Sequence, residues 1–141
     1  MPQNTSFLPD PRIEASSAFI AKLSLCQLRL QDDARWPWLV LVPEVTGVRE
    51  IIDLTEADQA LLLADIRTAC ARIKRLAGLM RFEDHKLNVA NLGNIVAQLH
   101  VHVIARNPDD AAWPGPVWGS GTAVPFATAE KVRLITALRA G

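Results

Sequence analysis

Between Thr55 and Gly78 apolar positions recur every three or four residues, at Leu62, Ile66, Ala69, Cys70, Ile73, Leu76 and Ala77. That spacing predicts an amphipathic helix. Thr55 is its N-cap candidate, acids occupy the first turn with Asp58 at the third position, and Gly78 is expected to close it. A helix of about 22 residues spans about 33 Å, which suits one crossing the back of a sheet. Elsewhere the period shortens to two. Residues 23–30 read as a strand with Leu23, Leu25, Gln27 and Arg29 on one side and Ser24, Cys26, Leu28 and Leu30 on the other. Gln31-Asp32-Asp33 signals a turn, Pro37 delimits the next element, and residues 38–42 form a dense apolar strand ending at Pro43. Together they predict a hairpin. Residues 87–92 return as a short strand, and Gly93-Asn94 is expected to connect it tightly to a strand over residues 98–104.

The flanks are less regular. Residues 1–14 are expected to be extended through Pro9 and Pro11, with a short helical piece over residues 15–21. Asn107-Pro108-Asp109-Asp110 ends the last strand and opens a Trp/Pro/Gly-rich segment, residues 107–127. Thr128 is expected to cap a final helix, with Leu134, Ile135 and Leu138 buried and Lys131, Arg133 and Arg139 at solvent or at the edge of the contact. Helices do not alternate with every strand. The fold class expected is therefore α+β: a mostly antiparallel sheet packed against one long helix, with a C-terminal helix.

The length, 141 residues, suits one domain with a core beside a single sheet. Fifteen basic residues balance fifteen acidic ones, so no net field recruits nucleic acid or a membrane, and neither is an expected partner. No run approaches the roughly 20 apolar residues that cross a bilayer. The N-terminus has neither a basic segment nor an apolar signal core. Cys26 and Cys70 lack metal-ligand spacing and sit among apolar neighbours, as buried thiols of a cytoplasmic protein would.

Chemistry concentrates in Gln98-Leu99-His100-Val101-His102-Val103-Ile104. Alternation puts Gln98, His100 and His102 on one face and Leu99, Val101 and Val103 on the other. A buried imidazole without a partner is costly, so three uses stand open. The pair is a satisfied structural feature, or part of a metal site, or an acid–base and nucleophilic pair. A zinc site needs more ligands than one strand supplies, and only His85, the cysteines and scattered acids remain; no metal or other cofactor is expected. Phosphorus chemistry suits the spacing. Side chains two apart on a strand stand about 6.5 to 7 Å apart, a span one phosphoryl group can bridge. Neutral imidazole is a competent nucleophile near pH 7, provided its other nitrogen is held as a donor. Asn88, Asn91 and the peptides around Gly93 and Asn94 lie close enough in sequence to supply donors for the phosphoryl oxygens.

These residues resemble the histidine triad (HIT) family. The resemblance rests on His100-Val101-His102-Val103-Ile104-Ala105-Arg106, on Asn91-Leu92-Gly93, and on Leu39-Val40-Leu41-Val42-Pro43 followed by Gly47-Val48-Arg49-Glu50-Ile51-Ile52-Asp53-Leu54-Thr55 before the long helix. It covers most of residues 26–118 and implies a HIT-like fold. The family pattern is His-x-His-x-His followed by two apolar residues, with the middle histidine as nucleophile. Aligning Val103-Ile104 with the motif's end puts His100 in the middle, His102 last and Gln98 first. The resemblance implies a nucleotide hydrolase or nucleotidyl transferase. It would act at the α-phosphate of a dinucleoside polyphosphate, a nucleoside phosphoramidate or a related adenylate, through a nucleotidyl-histidine intermediate. His100 and His102 would be catalytic, and Gln98, Asn91 and Gly93 would contact a purine nucleotide substrate; Arg106, which follows the motif, reads by itself as a solvated or salt-bridged residue and is the further candidate for holding the substrate's anion.

It also implies a homodimer, which the surplus of tryptophans supports. Departures from the pattern keep a second reading open, a non-catalytic nucleotide-binding or regulatory module. Gln98 cannot shuttle a proton. Thr46 stands where many members carry a further histidine, and the connection after Asn91 is short. Trp113 and Trp118 are expected to pack in the core or an interface, or to stack on a purine. Trp36 and Trp38 are read as sheet packing, and His85 as an exposed turn residue.

Overall fold

A computed structural model describes residues 7–83 and 86–140. In chain order they form α1 (Pro11–Ser16), β1 (Ser17–Lys22), β2 (Cys26–Gln31), β3 (Trp38–Pro43), a 3-10 turn (Ile51–Asp53), α2 (Glu56–Leu79), β4 (Lys86–Ala90), β5 (Val101–Arg106) and α3 (Thr128–Arg139). The strands make one sheet in the order β1-β2-β3-β5-β4, every neighbouring pair antiparallel. The α+β architecture expected from the hydrophobic pattern is the one observed. His85 lies outside the described residues, as do residues 1–6.

Alternation divides the inner strands between two cores. Leu39 and Leu41 of β3 and Val101, Val103 and Ala105 of β5 join Cys26, Leu28 and Leu30 of β2 beneath α2 and α3. Trp38, Val40 and Val42, with Ile104, face the other way, against Trp36, Phe7, Ile13 and Val117. Every residue of β3 and of β5 is buried, because each has a strand on both sides and a covering layer on both faces. α2 lays Leu62, Ala69, Ile73, Leu76 and Ala77 on the first core. Among the described residues no helix is long and apolar enough to cross a membrane.

Four local expectations are corrected. The helical piece expected over residues 15–21 is displaced: α1 occupies Pro11–Ser16, so only residues 15 and 16 are helical, and β1 follows directly from Ser17. The strand expected from residue 23 starts at Cys26 instead, because Asp65 of α2 turns the chain. Its carboxylate accepts from the backbone N–H groups of Ser24, Leu25 and Cys26 at 3.1, 2.8 and 2.9 Å. Gly78 does not end α2. The helix runs through it and closes in a Schellman arrangement, Phe82 N–H on the Ala77 carbonyl and Arg81 N–H on that of Gly78. Arg81, at φ 55°, takes the left-handed position. Thr128 is the first residue of α3, whose N-cap Ala127 offers no side-chain acceptor. At the other end of α2 Thr55 does cap, Oγ1 accepting from Asp58 N–H at 3.1 Å.

Asp65 is 1% exposed, so replacing it strands the buried backbone donors of Leu25 and Cys26 and loosens that of the exposed Ser24. Asp65→Ala is expected to lower the unfolding free energy by about 3 kcal/mol, read from urea denaturation, with Asp65→Asn losing less.

Candidate functional site

On the face of β5 opposite α2 the two histidine rings meet edge-on, centroids 4.9 Å apart and planes at 74°. Residues 91–100 carry the chain from β4 to β5, so the connection is longer than the expected tight turn, and Gln98 and His100 precede the strand proper. The alternation holds across that boundary. Leu99 packs with the core beneath α2, which turns Gln98 and His100 to the side of His102. Both imidazoles are 8% exposed. Each keeps one edge toward solvent and spends one nitrogen inside.

Those inner contacts fix the protons. His100 Nδ1 stands 2.7 Å from the Gln98 carbonyl. A carbonyl only accepts, so Nδ1 carries the hydrogen and Nε2 keeps its lone pair. His102 Nδ1 stands 3.0 Å from the indole Nε1 of Trp38. An indole N–H only donates, so this Nδ1 is the acceptor and the hydrogen sits on Nε2. The pair therefore presents one bare nitrogen and one N–H. Burial, and then the neighbouring His100, push the pKa of His102 down to about 3, which keeps it neutral at physiological pH.

The surroundings hold this arrangement. Asn91 donates from Nδ2 to the His100 carbonyl at 2.9 Å, and Gly93, at φ 73°, makes the turn that follows. Asn91 and Gly93 are thus near the histidines but tied into the loop. Gln98 is placed differently from a substrate contact. Its Oε1 accepts from Asp10 N–H at 2.7 Å and its Nε2 donates to the Leu8 carbonyl at 3.2 Å. Its amide straps the N-terminal segment across the loop, and Arg12 Nη1 on the Ile95 carbonyl at 3.0 Å adds a second tie. Arg106 is not open to a ligand either. Its guanidinium reaches Asp110 through Nε and Nη2 at 2.7 and 3.0 Å, Asn88 Oδ1 at 2.9 Å and the Gly115 carbonyl at 2.7 Å. Arg106, named as a candidate substrate contact, is salt-bridged: buried among these acceptors, it anchors the Trp/Pro/Gly-rich segment. That segment brings Trp118 edge-on to His102, centroids 5.2 Å apart, and Trp38 lies 5.6 Å from the same ring. Among the described residues no three His, Cys, Asp or Glu side chains gather as a metal site would need.

Trp38 was missed as a site residue because an apolar strand accounts for a tryptophan without any polar role. The available signal was its face. Val40 pairs with His102 and Trp38 with Ile104, so Trp38 shares the side of the sheet that His102 occupies.

Comparison with known proteins agrees with this geometry. The family described as the HIT domain matches residues 12–109. A histidine triad protein from Sinorhizobium meliloti 1021 is 44% identical, with 95% of this chain and 96% of that chain covered at a TM-score of 0.87. One from Bradyrhizobium japonicum is 40% identical at the same coverage and TM-score. One from Marinobacter aquaeolei VT8 is 37% identical over 95% of this chain and 94% of that chain, TM-score 0.84. A search of curated proteins finds no match. The chain belongs to the HIT domain family.

Two stability predictions come from these buried groups. The side chains of Arg106 and Asp110 are 2% and 0% exposed, and removing one leaves the other's charge uncompensated. Arg106→Ala is expected to cost about 3–5 kcal/mol in denaturant unfolding. The second concerns pH. His102 stays neutral when folded and takes a proton near pH 6.5 (approximately) when unfolded, so its contribution is complete above that pH and shrinks as pH falls. Burial disfavours the Asp110 carboxylate, but hydrogen bonds from Arg106 and from the backbone of Ala112 and Asn107 outweigh that and hold its pKa below the usual carboxylate range. It adds a further loss below about pH 4. Stability measured against pH is expected to decline in these two stages, with His102→Gln flattening the first.

Proposed function

We propose that this HIT-family chain is a nucleotide hydrolase or nucleotidyl transferase that attacks the α-phosphate of a nucleotide substrate through His100. The observation that carries the reading is the complementary pair of tautomers, a bare Nε2 on His100 beside an Nε2–H on His102. In the first step the His100 lone pair forms an N–P bond, the bond from phosphorus to the leaving group breaks, and that electron pair departs with the leaving group. In the second, water adds to phosphorus, the N–P pair returns to Nε2, and a water proton is released. A nucleoside monophosphate results. His102 donates to a phosphoryl oxygen throughout, where charge builds in the transition state. The resting Nδ1–H on the Gln98 carbonyl stabilises the positive ring that attack creates.

Gln98 takes the first motif position in this reading and serves through its backbone carbonyl. Asn91 and Gly93 shape the loop beside the phosphates, and Trp118 offers a ring edge to a purine base. The substrate class is a purine dinucleoside polyphosphate, phosphoramidate or adenylate. A homodimer is part of the reading: β4 ends the sheet, and Val89 on it and Leu92 just beyond are exposed.

His100→Ala is expected to stay folded by circular dichroism and to lose kcat by about a thousandfold or more, as removal of a nucleophile does. Acid-sensitive mass spectrometry of the wild type, quenched early, is expected to find a nucleotidyl adduct on His100. Equal turnover by mutant and wild type would refute the reading. Nucleotide binding with no monophosphate release from any of the three substrate classes would instead establish a binding module.

A further inference from the structure

We propose that Trp38 is a positioning residue that fixes His102 as a neutral Nε2–H donor, and that the site consequently selects substrates whose leaving group departs as a stable anion. Phosphoric and mixed carboxylic anhydrides of a nucleoside monophosphate are such substrates; alkylamine phosphoramidates are not. The second half rests on the proposed function, while the tautomer of His102 stands on geometry alone.

The indole N–H occupies His102 Nδ1 at 3.0 Å. For His102 to become an imidazolium, Nδ1 would have to gain a hydrogen that points at the indole's own, and two donors would face each other in a dry pocket between Trp38 and Trp118. His102 therefore lends a hydrogen bond but has no acidic proton to release. Neutral imidazole N–H is far too weak an acid for that.

The groups around the ring pair do not supply one either. From the N-terminal segment Asp10 is the acid that senses His100, and Arg12 holds its carboxyl below the usual range, ionised and unable to donate. Gln98 and Asn91 are amides bonded to backbone. β3 contributes Trp38 and the C-terminal segment Trp118, neither of which titrates as an acid. Arg106 is committed to Asp110. Among the described residues, then, nothing beside the histidines can protonate a leaving atom. When the bond to phosphorus breaks, the electron pair must rest on the departing group itself. A phosphate or carboxylate oxygen holds it as an anion. An alkylamine nitrogen needs a proton that only bulk water can bring.

Two measurements on the full chain test this. Two-bond 1H–15N correlation spectra of wild type are expected to show His102 protonated at Nε2 alone, and His100 at Nδ1, at neutral pH. In Trp38→Phe, which keeps a ring but removes the donor, His102 is expected to lose its single tautomer. His102 found at Nδ1–H, or charged at neutral pH, or unchanged in Trp38→Phe, overturns the role of Trp38. In kinetics, kcat for a diadenosine polyphosphate is expected to exceed that for an adenosine alkylamine phosphoramidate by about a hundredfold or more, the scale of a missing general acid. Trp38→Phe should lower kcat more than it raises KM and should add a limb to the acid side of the kcat profile. Comparable kcat for the two substrates overturns the selectivity. Turnover of neither removes the proposed function, and the selectivity with it, while the spectra still decide the tautomer.

Discussion

A carbonyl oxygen can only accept a hydrogen bond and an indole N–H can only donate one. Set against two imidazoles whose centroids are 4.9 Å apart, that pair of facts decides the character of this face of the sheet. A histidine free in solution exchanges its two neutral tautomers and takes a proton near neutrality. Here the inner partners hold each ring in one neutral tautomer, and burial keeps His102 from taking the proton. The Gln98 carbonyl and the Trp38 indole assign opposite tautomers to neighbouring rings, and the outward edges become a lone pair and a hydrogen. Had both inner partners been acceptors, the phosphate of the proposed reading would meet two lone pairs and be repelled. Had both been donors, there would be nothing to attack with.

The remainder of the fold keeps those two partners still. Trp38 presents no difficulty, since β3 is hydrogen-bonded on both sides and buried throughout. The Gln98 carbonyl is harder to place, because residues 91–100 lie outside the ladder. Three ties compensate: Asn91 on the His100 carbonyl, the Gln98 amide on the N-terminal segment, and Arg12 on Ile95. The far wall is anchored from the same strand. Arg106, four residues beyond His102 and on its face, clamps Asp110 and Gly115, which fixes the segment that sets Trp118 against the ring. Proteins place functional groups on rigid elements because a site about an ångström too loose loses much of its effect. This one borrows the rigidity of a central strand and extends it a few residues by cross-links.

The parts of this arrangement that were legible in the sequence are those governed by periodicity. The α2 stripe, the β2–β3 hairpin and the split of residues 98–104 into a histidine face and an apolar face all follow from where each side chain must point. What was not legible depends on partners distant in sequence. Asp65 looked like any polar residue on a helix, yet it makes the turn that shortens β2. Arg106 looked available because its buried acceptors lie in an irregular segment with no period to read. Trp38 looked like packing because apolar surface was a sufficient reason for it to be there. Residues 17–21 looked like part of a helix from residue 15 because alanine favours helices, whereas burial of Ile20 and pairing with β2 decide for a strand. In each case a tertiary contact outweighed a local preference.

If Gln98 takes the first motif position, as proposed, it keeps one function of that position and exchanges the other. In the proposed reading a first-position residue has two parts to play, a backbone carbonyl that orients the nucleophile and a side chain that can carry a proton. The carbonyl is indifferent to the side chain attached to it, and it remains 2.7 Å from His100 Nδ1. The side chain has become an amide, which offers an acceptor and a donor at once and uses both on the backbone of Asp10 and Leu8. In that reading a structural group stands where a titratable one would, and what it secures is the loop that holds the carbonyl. Together with a His102 kept neutral by Trp38, this leaves a site built from fixed dipoles instead of mobile protons. Fixed dipoles stabilise charge developing on phosphorus-bound oxygens without reorganising, but they cannot complete a valence on a departing nitrogen. In the proposed reading, the same two hydrogen bonds that ready His100 for attack therefore limit what it can usefully expel.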